Sequence, residues 1–371
     1  MVIGFDGSRS FVRERTGTEN YSFELLKHLA KIDTQNSYLV YIRPGSIVKS
    51  KEWPGNFKFK VINFPKLWTQ LGLALQTFKD PLDLLFVPAH TLPLLRRPKL
   101  KTVMTVHDLG SEYLPAMHQL KQRLYLGFIT AFQLKSSSGL IAVSNSTKED
   151  LVKKVGIKEE KIRVVYEGVN EEFTSLLSRK RSIIPRLMKK YHLKAEEYFL
   201  FVGTIQPRKN LERLIKAFSK LDNGELKLAL VGSRGWLSEK IYGLPKKLKV
   251  EDKVTFLGRV PQDELPSLYL GAKGLVFPSL FEGFGLPIIE AFSLSCPVLT
   301  SNISSMREIA GDSAILADPF DIDSITSGMR DLLNGKKTGE LVKKGLKRAQ
   351  NFSWKSAANE TLRVLEEYGE H

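Results

Sequence analysis

The sequence predicts an α/β protein made of two doubly wound, Rossmann-like domains, and three observations predict it. Short apolar runs alternate with helical patterns along the first half. The same alternation restarts after a polar and basic connector near residues 172–195. At 371 residues and 42% hydrophobic content, the chain can bury two cores more readily than one.

In the first half, Val2-Ile3-Gly4-Phe5 reads as a buried opening strand running into a loop, and further strands are expected at 38–42, 59–63, 84–88, 102–106, 139–143 and 162–166. Helices such as 20–32 fall between them, the pattern of a parallel sheet covered on both faces. The second half repeats it with strands at 198–203, 226–232, 254–257, 274–278 and 297–300. The predicted domains are 1–175 and 176–352. Residues 353–371 form an amphipathic helix with Ala357, Leu362, Val364 and Leu365 at helical spacing.

Composition narrows the function. A lone Cys296 inside an apolar stretch forms no intrachain disulfide, no apolar run is long enough to span a membrane, and the N-terminus does not read as a signal peptide. A cytoplasmic protein is expected. The formal charge of +16 sits in the first half, where residues 1–190 hold 31 Lys and Arg against 17 Asp and Glu. Clusters at 96–101 and 179–190 mix cations with apolar residues, which suits an anionic membrane surface at the inner face of the plasma membrane, a phosphate-bearing acceptor, or an ordinary solvated surface. Neither half carries Gly-x-Gly-x-x-Gly after its first strand, and there is no nucleophile elbow, no Gly-Lys-Ser/Thr loop and no His or Cys grouping with metal-ligand spacing.

The stretch 276–291, Val-Phe-Pro-Ser-Leu-Phe-Glu-Gly-Phe-Gly-Leu-Pro-Ile-Ile-Glu-Ala, carries the most chemistry. A buried strand ends in a glycine loop, Pro287 opens a helix, and the free amides near Gly285 and Leu286 suit an anion. Glu282 and Glu290 flank the loop, and carboxylates are good acceptors for paired sugar or ribose hydroxyls. After the first strand of the second half comes Gly203-Thr204-Ile205-Gln206-Pro207-Arg208-Lys209-Asn210, which sets two cations at the edge where such sheets bind ligands. Fixed cations there would stabilise the charge that develops on a departing diphosphate.

The spacing of Glu282 and Glu290, with Glu-Gly-Phe-Gly-Leu-Pro between them, resembles the E-x7-E element of the large family-four group of retaining glycosyltransferases with the GT-B fold. The resemblance covers nearly the whole chain. It implies two domains facing a central cleft, an N-terminal acceptor domain and a C-terminal nucleotide-sugar donor domain, and a last helix crossing back to the first. Arg208 and Lys209 match the family's phosphate-binding pair, Glu282 would orient donor sugar hydroxyls, and Glu290 would hold the ribose. His107, ending the strand Val103-Met104-Thr105-Val106, resembles the cleft histidine near the donor sugar, and His90 is a weaker candidate for acceptor contact. The loop at Gly17 is placed by relatives against the donor phosphates. The bland alternative there is a helix cap built by Thr18 or Asn20. Val260, in Gly-Arg-Val-Pro, resembles the segment that flanks the nucleotide base, and residues 304–319 resemble the family's next helix and loop.

The implied activity is retaining, metal-independent transfer of a hexose from a nucleotide-sugar donor to a saccharide or lipid-linked acceptor, with no cofactor. Mannose from GDP-mannose leads, because the Pro-Arg-Lys-Asn variant resembles mannosyltransferases, and UDP-sugars follow. The alternatives are a GT-B epimerase or phosphorylase, or a non-catalytic basic module for nucleic acid or anionic lipid, which would have no need of carboxylates around the Gly-Phe-Gly loop. No nucleic-acid partner is expected.

Overall fold

The computed structural model describes residues 1–371 apart from 13–14, 65, 90, 110–128, 171–172, 174–183, 223, 336–337 and 371. His90 and much of the basic run at 179–190 therefore lie outside the described residues. Two compact units are present: Met1–Gly168 together with Trp354–His371, and Val169–Ser353.

Unit 1 is built on seven parallel strands, β1 (Val2–Asp6), β2 (Ser37–Ile42), β3 (Phe57–Val61), β4 (Leu84–Val87), β5 (Lys101–Val106), β6 (Gly139–Ala142) and β7 (Ile162–Val164). Their order is β3-β2-β1-β4-β5-β6-β7, with Phe5 beside Phe86 and Val106 beside Ala142. Every residue of β4 and β6 is buried, which is why these strands read as unbroken apolar runs rather than alternating ones. Strand β3 starts two residues earlier than expected, because Phe57 stacks on Tyr38 with ring centroids 4.2 Å apart. One core gathers Tyr41, Leu73, Leu85, Val87, Met104, Leu140 and Ala142.

The helix Gly17–Ile32 buries Tyr21, Leu25, Leu26 and Leu29. Its cap is neither Thr18 nor Asn20. Thr16 caps it in a capping box with Glu19, whose carboxylate accepts from the Thr16 amide at 3.2 Å. The C-terminal helix Trp354–Gly369 packs along it, with Trp354 fully buried and its ring 5.7 Å from that of Tyr21.

Unit 2 holds six parallel strands, β8 (Tyr198–Val202), β9 (Lys227–Val231), β10 (Val254–Gly258), β11 (Gly274–Phe277), β12 (Val298–Ser301) and β13 (Ile315–Ala317), in the order β10-β9-β8-β11-β12-β13. The expected helix in 304–319 is Ser304–Ala310, but Ile315–Ala317 is a strand and not part of a loop. It is three residues long, lies at the sheet edge and leaves Leu316 exposed, so the short apolar run 314–317 is too brief to separate a strand from a loop.

The unit boundary falls at Gly168/Val169 rather than 175/176. Val169 already pairs within unit 2, where its amide donates to Phe352 O at 3.3 Å and it bridges Ser353 in parallel. Strand order reverses between β8 and β11, so the loops leaving these two strands part in opposite directions. The crevice they leave at the carboxyl edge is where an open parallel sheet accepts a ligand.

Candidate active site

At the switch point of unit 2, β8 ends at Val202 and Gly203 follows with φ 151. Gly203 lies close under Lys209: a Cβ there would meet Lys209 Cε at 3.4 Å. The single turn Pro207–Lys209 then presents both cations, and Asn210 leaves it in the left-handed region at φ 60. Asn210 Nδ2 donates to Pro278 O at 3.0 Å and Pro319 O at 2.7 Å, tying the loops after β8, β11 and β13 together.

Glu282 is clasped by both cations. Arg208 Nη1 donates to Oε2 at 2.7 Å and also to Phe281 O at 3.0 Å, and Lys209 Nζ donates to Oε1 at 2.6 Å. The Glu282 backbone is held as well, with its carbonyl accepting from Ser305 Oγ at 2.8 Å and Ser304 Oγ at 3.2 Å. Burial alone would push the Glu282 carboxyl up, but the Arg208 and Lys209 charges outweigh it and hold the pKa below the ordinary glutamate value. Glu282 is thus an acceptor of hydrogen bonds and not an acid. The three side chains carry a formal +1, which suits an anion.

Gly285 caps the helix Leu286–Ser293 at φ 112, a conformation that disfavours a side chain, and Pro287 fits its first turn. One turn in, Glu290 Oε2 accepts from Tyr269 OH at 2.7 Å. Burial pushes the Glu290 pKa up to about 7, against the lowering effect of that hydrogen bond. Val260 is buried behind β10, two strands from β8 on the same sheet. Its neighbour Gly258 accepts from the Gly232 amide at 2.8 Å, and Gly232 in turn lies against Gly203, so close that a Cβ would sit 1.9 Å from Gly203 O.

In unit 1, both nitrogens of His107 are engaged. Nε2 donates to Pro88 O at 3.1 Å, Nδ1 faces Glu167 Oε1 at 3.3 Å, and the Tyr21 ring meets the imidazole edge-on at 4.6 Å. Tyr21 is anchored by Thr105 Oγ1 at 3.1 Å. Gly17 opens its helix exposed, and no atom lies within 4 Å of the place a Cβ would take.

The structure therefore joins Gly203, Arg208, Lys209 and Glu282 in one cluster, with Gly285 and Leu286 at the next helix start and Glu290 one turn beyond. His107 and Gly17 belong to the other unit. Sequence reasoning missed Asn210 as the clamp, Tyr269 as the partner of Glu290, and Glu167 as the partner of His107. Asn210 was visible beside the two cations, but its acceptors lie 68 and 109 residues away. Among the described residues no group of three or more His, Cys, Asp or Glu side chains is arranged to hold a metal ion.

Comparison with known proteins agrees with this architecture. The family of glycosyl transferases group 1 matches residues 184–351, and the glycosyltransferase family 4 matches residues 15–173. The O-antigen chain mannosyltransferase B of Escherichia coli is 31% identical over 71% of this chain and 69% of its own length. The O-antigen chain mannosyltransferase RfbU of Salmonella typhimurium is 32% identical over 66% of this chain and 63% of its own. Among solved structures, Anabaena Alr3699/HepE in complex with UDP and glucose superposes with a TM-score of 0.75 at 17% identity, covering 98% of this chain and 99% of that one. The last likeness speaks for the fold. With the α/β units, their switch-point cluster and these sequence matches together, the chain belongs to the glycosyl transferases group 1 family and is a glycosyltransferase of the GT-B fold.

Proposed function

We propose that the protein moves a hexose from a nucleoside diphosphate sugar to a hydroxyl of a saccharide or lipid-linked acceptor, with retention at the anomeric carbon and without a metal ion. Mannose from GDP-mannose is the leading donor, supported by the two relatives named as mannosyltransferases, and UDP-sugars come second. The setting is cytoplasmic, in keeping with the buried thiol of Cys296. Among the described residues no helix is long and apolar enough to cross a membrane.

The observation that carries this reading is the Arg208–Glu282–Lys209 cluster at the switch point, beside the helix start at Gly285. In the proposed step, the bond from the anomeric carbon to the diphosphate oxygen breaks as the acceptor oxygen bonds to the same face. The acceptor proton passes to the departing phosphate. Arg208, Lys209 and the amides at Gly285 and Leu286 neutralise that phosphate, Glu282 accepts from donor sugar hydroxyls, and Glu290 accepts from the ribose. His107 is assigned to the sugar and Gly17 to the phosphates, while Val260 flanks the base.

Titration calorimetry with GDP, UDP and ADP, in chelator throughout, tests the assignment. One nucleotide should bind without metal. Lys209→Ala and Glu290→Gln should each weaken it about tenfold or more, the effect of losing one charge-assisted hydrogen bond. Unchanged affinity in both variants would remove the site. The anomeric configuration of the product, read by NMR, tests retention separately.

A further inference from the structure

The phenol that meets Glu290 is itself held in place. Tyr269 belongs to the helix Leu265–Gly271, of which every residue but Leu270 is buried. That helix is tied to β8 and its approach: Tyr198 OH donates to Leu268 O at 2.5 Å, the Glu196 amide donates to Gly271 O at 2.8 Å, and the Lys273 amide donates to Tyr198 O at 2.8 Å. The Tyr269 ring is fully buried and meets the Phe173 ring at 6.4 Å between centroids, with the planes 61° apart. A ring packed in this way does not swing, so its hydroxyl points where the backbone sets it.

Glu290 stands on a different element, the helix Leu286–Ser293, and is half-buried. Its Oε2 accepts from the phenol at 2.7 Å, and among the described residues no donor meets Oε1. An unanchored glutamate turns about several bonds, so fixing one oxygen sets the direction of the other. Burial, then the nearby carboxylate, pushes the phenol well above its ordinary pKa, so the hydroxyl remains a donor. Its hydrogen bond works against the burial that pushes Glu290 up to about 7, and favours the ionised form that accepts. The other ionisable groups on the elements packed around this helix are few. The Cys296 thiol, pushed by burial up to about 12, is neutral, and β11 and β12 carry no titratable side chain. On the helix Thr338–Ala349, Arg348 donates to Glu308 O and Ile309 O, Lys344 pairs with Asp312 and Glu340, and Lys343 and Lys347 are exposed. On the helix Ser304–Ala310, Arg307 is exposed and Glu308 half-buried, and Glu282, ahead of the Glu290 helix, is clasped by Arg208 and Lys209.

We propose that Tyr269 is a positioning residue of the nucleotide site: it holds Glu290 Oε2 so that Oε1 is aimed at the ribose hydroxyls. Tyr269 touches no substrate and acts through Glu290. Packing alone would be served by a phenylalanine at this position, whereas the hydroxyl has one partner among the described residues, and that partner is the carboxylate assigned to the ribose. The inference rests on that assignment and adds the group that orients it.

The test is titration calorimetry of the full chain, in chelator, with the nucleotide among GDP, UDP and ADP that the wild type binds most tightly and with its 2′,3′-dideoxy form. The wild type should prefer the ribose form. Tyr269→Phe should weaken the ribose form about tenfold and leave the dideoxy form within about twofold, since only the aim of Glu290 is lost. Repeated across pH, the rise of affinity that accompanies ionisation of Glu290 should move to higher pH in Tyr269→Phe, because the hydrogen bond favouring the ionised form is gone. Thermal unfolding checks the fold. Should the single variant not fold, the double variant Tyr269→Phe, Glu290→Gln removes the half-buried charge as well, and it should bind the ribose form as Glu290→Gln alone does. A tyrosine that serves packing alone would weaken both forms equally and leave the pH midpoint in place, which overturns the proposal. A Tyr269→Phe variant with the wild-type preference for ribose, or a double variant weaker than Glu290→Gln, overturns it too. If the wild type binds the two forms alike, the ribose assignment falls and this proposal with it. A wild type that discriminates where Glu290→Gln does not leaves the ribose assignment standing whatever Tyr269→Phe shows.

Discussion

Glu282 and Glu290 are alike in the sequence and opposite in their surroundings. Two cations clasp Glu282 and keep it ionised, whereas Glu290 has one phenol and a buried site that pushes its pKa up to about 7. The sign of the pH effect follows. Between the ordinary value of 4.5 and about 7, folded Glu290 holds a proton that the unfolded chain has released, so this group's contribution to stability is complete below that window and is lost as pH rises through it. Glu290→Gln should flatten the slope of unfolding free energy against pH there, as measured by urea denaturation at a series of pH values. A slope identical to that of the wild type would show that the carboxyl titrates normally. Nucleotide affinity should rise over the same window, since an ionised carboxylate is the better acceptor for ribose hydroxyls.

At the scale of elements, the joint between loops depends on Asn210. It combines a left-handed backbone with two donated hydrogen bonds, and the two contributions can be separated. Asn210→Gly keeps the conformation and loses the bonds, at a cost of about 2 kcal/mol. Asn210→Ala loses the bonds and adds left-handed strain of about 1 kcal/mol more. Urea unfolding that places both variants level with the wild type would contradict this role. Such a clamp is hard to read from sequence because its partners are backbone carbonyls in distant loops. The strands flanking it were legible, since Leu275, Val276 and Phe277 are buried on both faces of the sheet and so stand as a run.

Across the whole molecule, the strand-helix alternation and its single restart were enough to recover two parallel sheets, while β13 escaped because three edge residues make too short an apolar signal. The last helix supplies Trp354, Ala357, Ala358, Val364 and Leu365 to the core of unit 1. Removing residues 354–371 should therefore abolish the cooperative unfolding transition of unit 1 and leave that of unit 2, as followed by differential scanning calorimetry. Retention of both transitions would mean that the helix is dispensable.

That arrangement also sets an order of events during synthesis. Unit 1 is begun first and finished last, with all of Val169–Ser353 translated in between. At ribosomal speeds of about 5–20 residues per second, the first lobe, lacking only its last helix, waits on the order of ten to forty seconds, its Tyr21 side uncovered, while the second lobe is free to complete itself. Nascent chains of this protein are exposed to chaperones on that face and for that interval.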